Sequence, residues 1–239
     1  MTQFQGNDLG RWDGRGPLLD VDALREVVLR SDAALCAVDG CGGSGKSTLA
    51  RRLAQDARVA VIEMDDFYLP SALRANVPAV AGGNFDLARL MEQVLVPAAD
   101  RCGARYQRYD WDNDILGEWV EIDGGIAIVV EGVYSSSAQL RDRYSLRVWV
   151  DTPYDVRLER GIARDGEGMR DTWVNEWMPA EVRYMESENP VSYAHLVVDG
   201  SGGDGDEPEF VVLRSSLPGM DGWTTPRDDT GRPPIPEHR

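Results

Sequence analysis

The chain is short of the residues that build disulfide frameworks and metal cages. Its three cysteines, Cys36, Cys41 and Cys102, form an odd set with no C-x-x-C pair, and it has two histidines. That excludes a disulfide scaffold and argues against a zinc site. Positive charge is scarce too, with 25 Lys and Arg against 41 Asp and Glu and a formal net charge of -16. A field of that sign repels polyphosphate backbones and anionic bilayers, so neither nucleic acid nor a membrane is expected as a partner. No apolar run approaches the length that spans a bilayer, and Met1 to Arg15 lacks the apolar stretch of a signal peptide. The expectation is a cytoplasmic protein that acts on a small molecule, with homo-oligomerisation left open.

Glycine is not scarce, and one segment concentrates it. Gly40-Cys41-Gly42-Gly43-Ser44-Gly45-Lys46-Ser47 is a complete G-x-x-x-x-G-K-[ST] loop, preceded by the apolar run Ala33 to Val38 and followed by the amphipathic run Thr48 to Ala54. Glycines let backbone N–H groups converge on phosphate oxygens, and the helix N-terminus adds partial positive charge. A lysine at this spacing reaches the β- and γ-phosphates, and the next hydroxyl ligates Mg²⁺. Gly40, Gly42, Gly43, Ser44, Gly45, Lys46, Ser47 and Thr48 are therefore the expected cradle for ATP or GTP.

Five short β-branched runs, at 34–38, 59–62, 126–130, 146–150 and 196–198, read as buried strands, with helical spacing between them at 87–95, 156–162 and 172–186. Such alternation implies an α/β fold of the P-loop NTPase type, a five-stranded parallel sheet covered by helices on both faces, with ligands at the carboxyl ends of its strands. Asp39, Asp65, Glu131 and Asp151 fall at or just past those ends. The expected organisation is a flexible N-terminus over 1–17, a P-loop domain over 18–200, and a Gly/Pro-rich acidic tail over 201–239, read as mobile around a short apolar patch at Phe210 to Leu213.

Two adjacent carboxylates end the second strand, in Asp65-Asp66-Phe67-Tyr68. Phosphoryl transfer needs a group that orients the attacking hydroxyl and accepts its proton, although an Asp pair can also just cap a turn. The segment resembles the D-x-F-Y motif of the uridine kinase and phosphoribulokinase-like family. Tyr109-Asp110-Trp111 is similar to that family's Y-D-F segment, Val129-Val130-Glu131-Gly132 to its apolar-E-G strand end, and Asp151-Thr152 with Arg157-Leu158, Arg160 and Arg164-Asp165 to its arginine-bearing helical lid.

The resemblance, which spans about Ala33 to Gly200, implies a Mg²⁺-dependent kinase with ATP or GTP as donor. Asp65 would be the base, and Lys46, Arg160 and Arg164 would carry the transferring charge. Arg170 would join the nucleotide site, and Ser47 and Glu131 would hold Mg²⁺. Tyr68, Asp86, Tyr109, Trp111, Asp65 and Glu131 would face the acceptor, most readily a nucleoside.

Asp86 equally suits a helix N-cap for the run that starts at Leu87. Trp173 and Trp177 suit core as well as a stacking surface. His195 reads as structural. Two positions depart from the family pattern: Gly161 stands where a second basic residue follows the one matched by Arg160, and no histidine follows Tyr109-Asp110-Trp111. The same machinery acting on a non-nucleoside metabolite, and a nucleotide-binding regulator without chemistry, are the alternatives.

Overall fold

The computed structural model describes residues 16–30, 34–74, 82–202, 209–217 and 224–225, with residues 224 and 225 described by backbone alone. Its strands are β1 (Leu18–Leu19), β2 (Leu35–Asp39), β3 (Val59–Glu63), β4 (Ala104–Asp110), β5 (Ile115–Ile122), β6 (Ala127–Glu131), β7 (Leu146–Asp151), β8 (Leu196–Asp199), β9 (Val211–Ser215) and β10 (Thr224–Thr225). Eight of them form one sheet in the order β10-β1-β9-β8-β7-β2-β6-β3. From β8 to β3 the pairs are all parallel, giving the five expected strands.

Because strand side chains alternate, β2 feeds two cores. Cys36 and Val38 pack with Leu24 and Val28 of helix Val21–Arg30 and with Leu49 and Leu53 of helix Lys46–Leu53. Leu35 and Ala37 face the opposite layer, with Ile62, Phe67, Leu90 and Val94. The second layer rests on a continuous helix over 87–99 whose middle turn, Met91–Leu95, is π-helical. Register aligns the strand ends: Glu63 pairs with Glu131, Val38 with Glu131, and Asp151 with Asp199. A row of carboxylates thus lines one edge of the sheet, beside the glycine loop that follows β2.

Two features depart from the expected layout. The domain does not stop at residue 200, because β9, inside the segment expected to be a tail, pairs antiparallel with β8, and β1 and β10 extend the sheet beyond it. Without β9 the outer edge of β8 would leave its N–H and C=O groups unpaired. Phe210, 2 % exposed, adds about 1.5–3 kcal/mol by leaving water. Residues 203–208, 218–223 and 226–239 of that expected tail, and 1–15 of the expected N-terminal segment, lie outside the described residues.

The second departure is the antiparallel hairpin β4–β5, which stands apart from the main sheet. Its inward residue Tyr106 stacks on Phe67, with ring centroids 5.3 Å apart, and joins the second core. The outward residues are charged or exposed, so no continuous apolar run announces it.

Candidate active site

The glycine loop takes the backbone shape that its sequence requires. Gly43 and Gly45 have φ of 76° and 97°, in the left-handed region open mainly to glycine. Gly45 forms the left-handed N-cap of helix Lys46–Leu53. Lys46 is buried, with Nζ donating to the Cys41 carbonyl at 3.4 Å, and the Ser44 carbonyl is held by the Thr152 hydroxyl at 2.9 Å. Asp39, fully buried, accepts from Gly40 N–H at 2.7 Å, from Ser136 N–H at 2.9 Å and from the Tyr184 hydroxyl at 2.7 Å. It braces the root of the loop rather than facing a ligand.

A cavity of about 310 Å³ opens above the loop. Gly42, Lys46 and Ser47 form its donor side. Asp65, Glu131 and Glu63 come from the ends of β3 and β6, Arg164 comes from helix Tyr154–Asp165, and Tyr68, Phe85, Trp111, Tyr134, Trp173 and Trp177 form an aromatic wall. The Tyr68 ring lies 4.8 Å from Trp111 and 5.1 Å edge-on to Phe85, and Phe85 lies 5.7 Å from Tyr134, so these four rings are connected, while Trp173 and Trp177 form a second pair 5.2 Å apart. Asn84 completes it.

The adjacent carboxylates divide. Asp66 is buried and turned to the hairpin, where its oxygens accept from the Tyr106 hydroxyl at 2.9 Å and Arg108 Nε at 3.0 Å. Asp65 opens into the cavity. Partial removal from water by the pocket walls raises its pKa, against the pull of Lys46 and Arg164. Glu131 is 6 % exposed; burial raises its pKa, while Lys46 and the Ser47 hydroxyl draw it down. Its Oε2 has no hydrogen-bond partner, an uncommon condition for a buried carboxylate oxygen. Among the described residues no cluster of three His, Cys, Asp or Glu is arranged to hold a metal alone.

The arginines also divide, although their spacing puts Arg160 and Arg164 on one helix face. Arg164 reaches the cavity, ion-paired to Asp165 at 2.7 Å and 5.8 Å from the Trp173 ring. Arg160, expected to carry transferring charge, instead donates to the carbonyls of Gly200 at 2.8 Å and of Gly43 and Ser201 at 3.4 Å, which fastens the loop to the end of β8. Arg170 lies outside the cavity, in an exposed pair with Glu167.

Asp86, expected at the acceptor, caps its own helix: it accepts from Arg89 N–H at 3.0 Å and pairs with Arg89 Nε at 3.4 Å. Tyr109 packs edge-on to Trp111 at 4.9 Å and tilted against Tyr68 at 5.7 Å, donates its hydroxyl to Asp114 at 2.5 Å, and lines an adjoining cleft with Glu63, Asp65 and Trp111. Thr48 lies in the first helical turn, its hydroxyl accepting from Arg51 at 3.2 Å. His195 accepts from Arg147 N–H at 3.1 Å, in a structural role.

Gly161 has no room for a side chain, since a Cβ there would lie 2.5 Å from the Trp173 ring. Among residues that the sequence did not single out, Glu181 is the least expected. It is a buried helix carboxylate paired with Arg157 and bonded to Gly42, and nothing in its local pattern separates it from a solvent-facing glutamate. Tyr134, three residues past Glu131, could have been found from its place after a strand end.

A phosphate loop, strand-end carboxylates and an arginine helix around one aromatic cavity define a P-loop kinase. No family model matches the chain. It is 27 % identical over 186 residues to the uridine kinase of Alkaliphilus metalliredigens, covering 70 % of this chain and 86 % of that one. To uridine-cytidine kinase B of Dictyostelium discoideum it is 32 % identical over 139 residues, 54 % of this chain and 56 % of that one. Among solved structures, a "Possible Uridine Kinase from Bacillus stearothermophilus" superposes with a TM-score of 0.57 at 25 % identity, over 74 % of this chain and 96 % of that one. Over about 70 % of its length, and in fold, the chain is similar to uridine kinases, a likeness that supports the uridine kinase and phosphoribulokinase-like family of P-loop small-molecule kinases.

Proposed function

We propose that the protein transfers the γ-phosphoryl group of ATP or GTP to a hydroxyl of a nucleoside or a similar ring-bearing acceptor. The observation that carries this reading is the division of the two aspartates. Asp66 is spent on Tyr106 and Arg108, while Asp65 is presented to the cavity within the fields of Lys46 and Arg164. A raised pKa suits a group that accepts a proton from an alcohol. Lys46 neutralises charge on the transferring group from the donor side and Arg164 from the lid side.

The residues also fit Mg²⁺. A nucleotide-bound Mg²⁺ takes most of its ligands from phosphate and water and only one or two from protein. The Ser47 hydroxyl beside the unpartnered Glu131 Oε2 supplies that set. Bound there, the ion would offset phosphate charge.

The acceptor is the open part of this reading. Relatives named uridine kinase and uridine-cytidine kinase favour a pyrimidine nucleoside. Asp86 engaged as a helix cap, and a cavity lined by aromatics with no histidine, favour an acceptor held by its ring faces rather than by hydrogen bonds to its base. Purified protein with Mg·ATP should be assayed against uridine, cytidine, a purine nucleoside and a non-nucleoside polyol, with product mass as readout. A phosphorylated nucleoside is the expected product. Phosphorylation of the polyol alone would move the acceptor outside nucleosides, and no product from any of the four would sink the proposal.

A further inference from the structure

The position of Glu181 ties the two sides of the cavity together. Its Oε1 accepts from Gly42 N–H at 2.6 Å and its Oε2 from Arg157 Nη1 at 2.8 Å, with both charged residues buried. Arg157 Nε donates to the Thr152 carbonyl at 3.0 Å, and the Thr152 hydroxyl holds the Ser44 carbonyl. The phosphate loop is therefore gripped at Gly42 and at Ser44 by one connected set of bonds that begins on the helical run 170–188. That run also carries Trp173 and Trp177 of the aromatic wall. The packing is close: a Cβ on Gly42 would lie 2.8 Å from Trp173 and 2.9 Å from Glu181 Oε1, and one on Gly43 would lie 2.5 Å from the Arg157 carbonyl.

We propose that Glu181 is a positioning residue that couples the phosphate loop to the acceptor wall, so that nucleotide in the loop orders the helix bearing Trp173 and Trp177. The inference rests on the loop being the nucleotide site. A buried carboxylate left without its donor is costly, so when a phosphate group shifts or fixes the Gly42 peptide, Glu181 has to follow it. The helix and Trp173, which touches Gly42, go with Glu181. Acceptor side chains then become fixed only when a donor is present.

The test uses two double variants that both remove the buried ion pair. Arg157→Met with Glu181→Gln keeps an oxygen that can accept from Gly42 N–H, and Arg157→Met with Glu181→Leu does not. Hydrogen–deuterium exchange is followed by mass spectrometry with and without Mg·ATP. In the wild type and the Gln variant, Mg·ATP should slow exchange in peptides from 39–49 and from 170–188. In the Leu variant it should slow the first alone, with kcat for phosphoryl transfer at least about tenfold below the Gln variant and KM for ATP within about threefold.

Should the Leu variant fail to fold, Glu181→Asp takes its place, one methylene too short to reach Gly42 while bound to Arg157, and the same outcomes apply. Protection of 170–188 by Mg·ATP in the Leu or Asp variant, or its absence from the wild type while the loop itself is protected, overturns the coupling. No protection of the wild-type loop overturns the nucleotide-site reading, and this inference with it.

Discussion

The two walls of the cavity are built from different material. On the donor side the ligand would meet mostly backbone, namely N–H groups held in shape by Gly43, Gly45 and the bonds from Asp39 and Thr152. On the acceptor side it would meet side chains: rings from the Asp65–Tyr68 turn, the hairpin tip, the segment after β6 and the 170–188 helix, gathered from segments far apart in sequence. A backbone site tolerates little change in sequence and is shared by many proteins with one ligand chemistry. A side-chain site can change its ligand by exchanging a ring or a charge, while the chemistry opposite it stays the same. This explains why the kinase activity is easier to assign than its acceptor.

The largest expected effect lies on the backbone wall. Lys46→Ala should lower kcat/KM by at least about 10³-fold, since a charge held at the β/γ-phosphates in a water-poor site contributes several kcal/mol. Lys46 is the only lysine in the chain, so no neighbouring ammonium can take its place. Turnover within tenfold of wild type would show that the loop is not where transfer occurs.

At the seam between the walls, Asp65→Asn should cost about 10²-fold or more in kcat while nucleotide affinity holds. The same change sharpens a pH prediction. On the proposed role as base, the working form of Asp65 is the carboxylate; its pKa is raised, so activity should fall on acidification with a midpoint above the ordinary aspartate value of about 3.9. In Asp65→Asn that acid limb should disappear from the residual rate. An unchanged limb would assign it to another group.

Asp66→Asn should act mainly on stability. Weakening the bonds to Tyr106 and Arg108 costs about 1–3 kcal/mol, visible as a lower Tm with kcat largely kept. A kcat loss at Asp66 larger than at Asp65 would reverse the assignment of the pair.

The smallest effect belongs to the acceptor wall. Trp111 is 57 % exposed and packs at a tilt against Tyr68, so Trp111→Ala should raise the acceptor KM by about three- to tenfold with little change in kcat or in the KM for ATP. An equal rise in the KM for ATP would place Trp111 on the donor side.

What could be read from the sequence follows the same division. The loop and the five parallel strands were legible because their physical requirements are local: glycine for positive φ, and an unbroken β-branched run for a strand buried on both faces. The hairpin was not, since one of its faces looks to water and its inward tyrosines alternate with arginine and glutamine. Arg160 and Arg164 were indistinguishable in sequence because helical spacing fixes a shared face but not which carbonyls come within reach. The chain returning at Gly200 decides that. The apolar patch from Phe210 to Leu213 was visible, but the acidic, glycine-rich segment before it hid that the patch returns to the sheet as β9. For Asp86 local chemistry offered two roles, and the structure gives it the capping one.

The contact between Gly161 and Trp173 restricts how this pocket could have diverged and how it can be re-engineered. A Cβ at 161 would be driven into the indole, so no arginine or lysine fits there while the tryptophan stays. The two positions form an epistatic pair. A lineage that carries a basic residue at 161 has to shrink residue 173 in the same step or beforehand, and one that gained the tryptophan first closed the way back. Saturation mutagenesis at 161 alone would therefore yield few folded clones, whereas a paired library at 161 and 173 would open sequence space that single substitutions never reach.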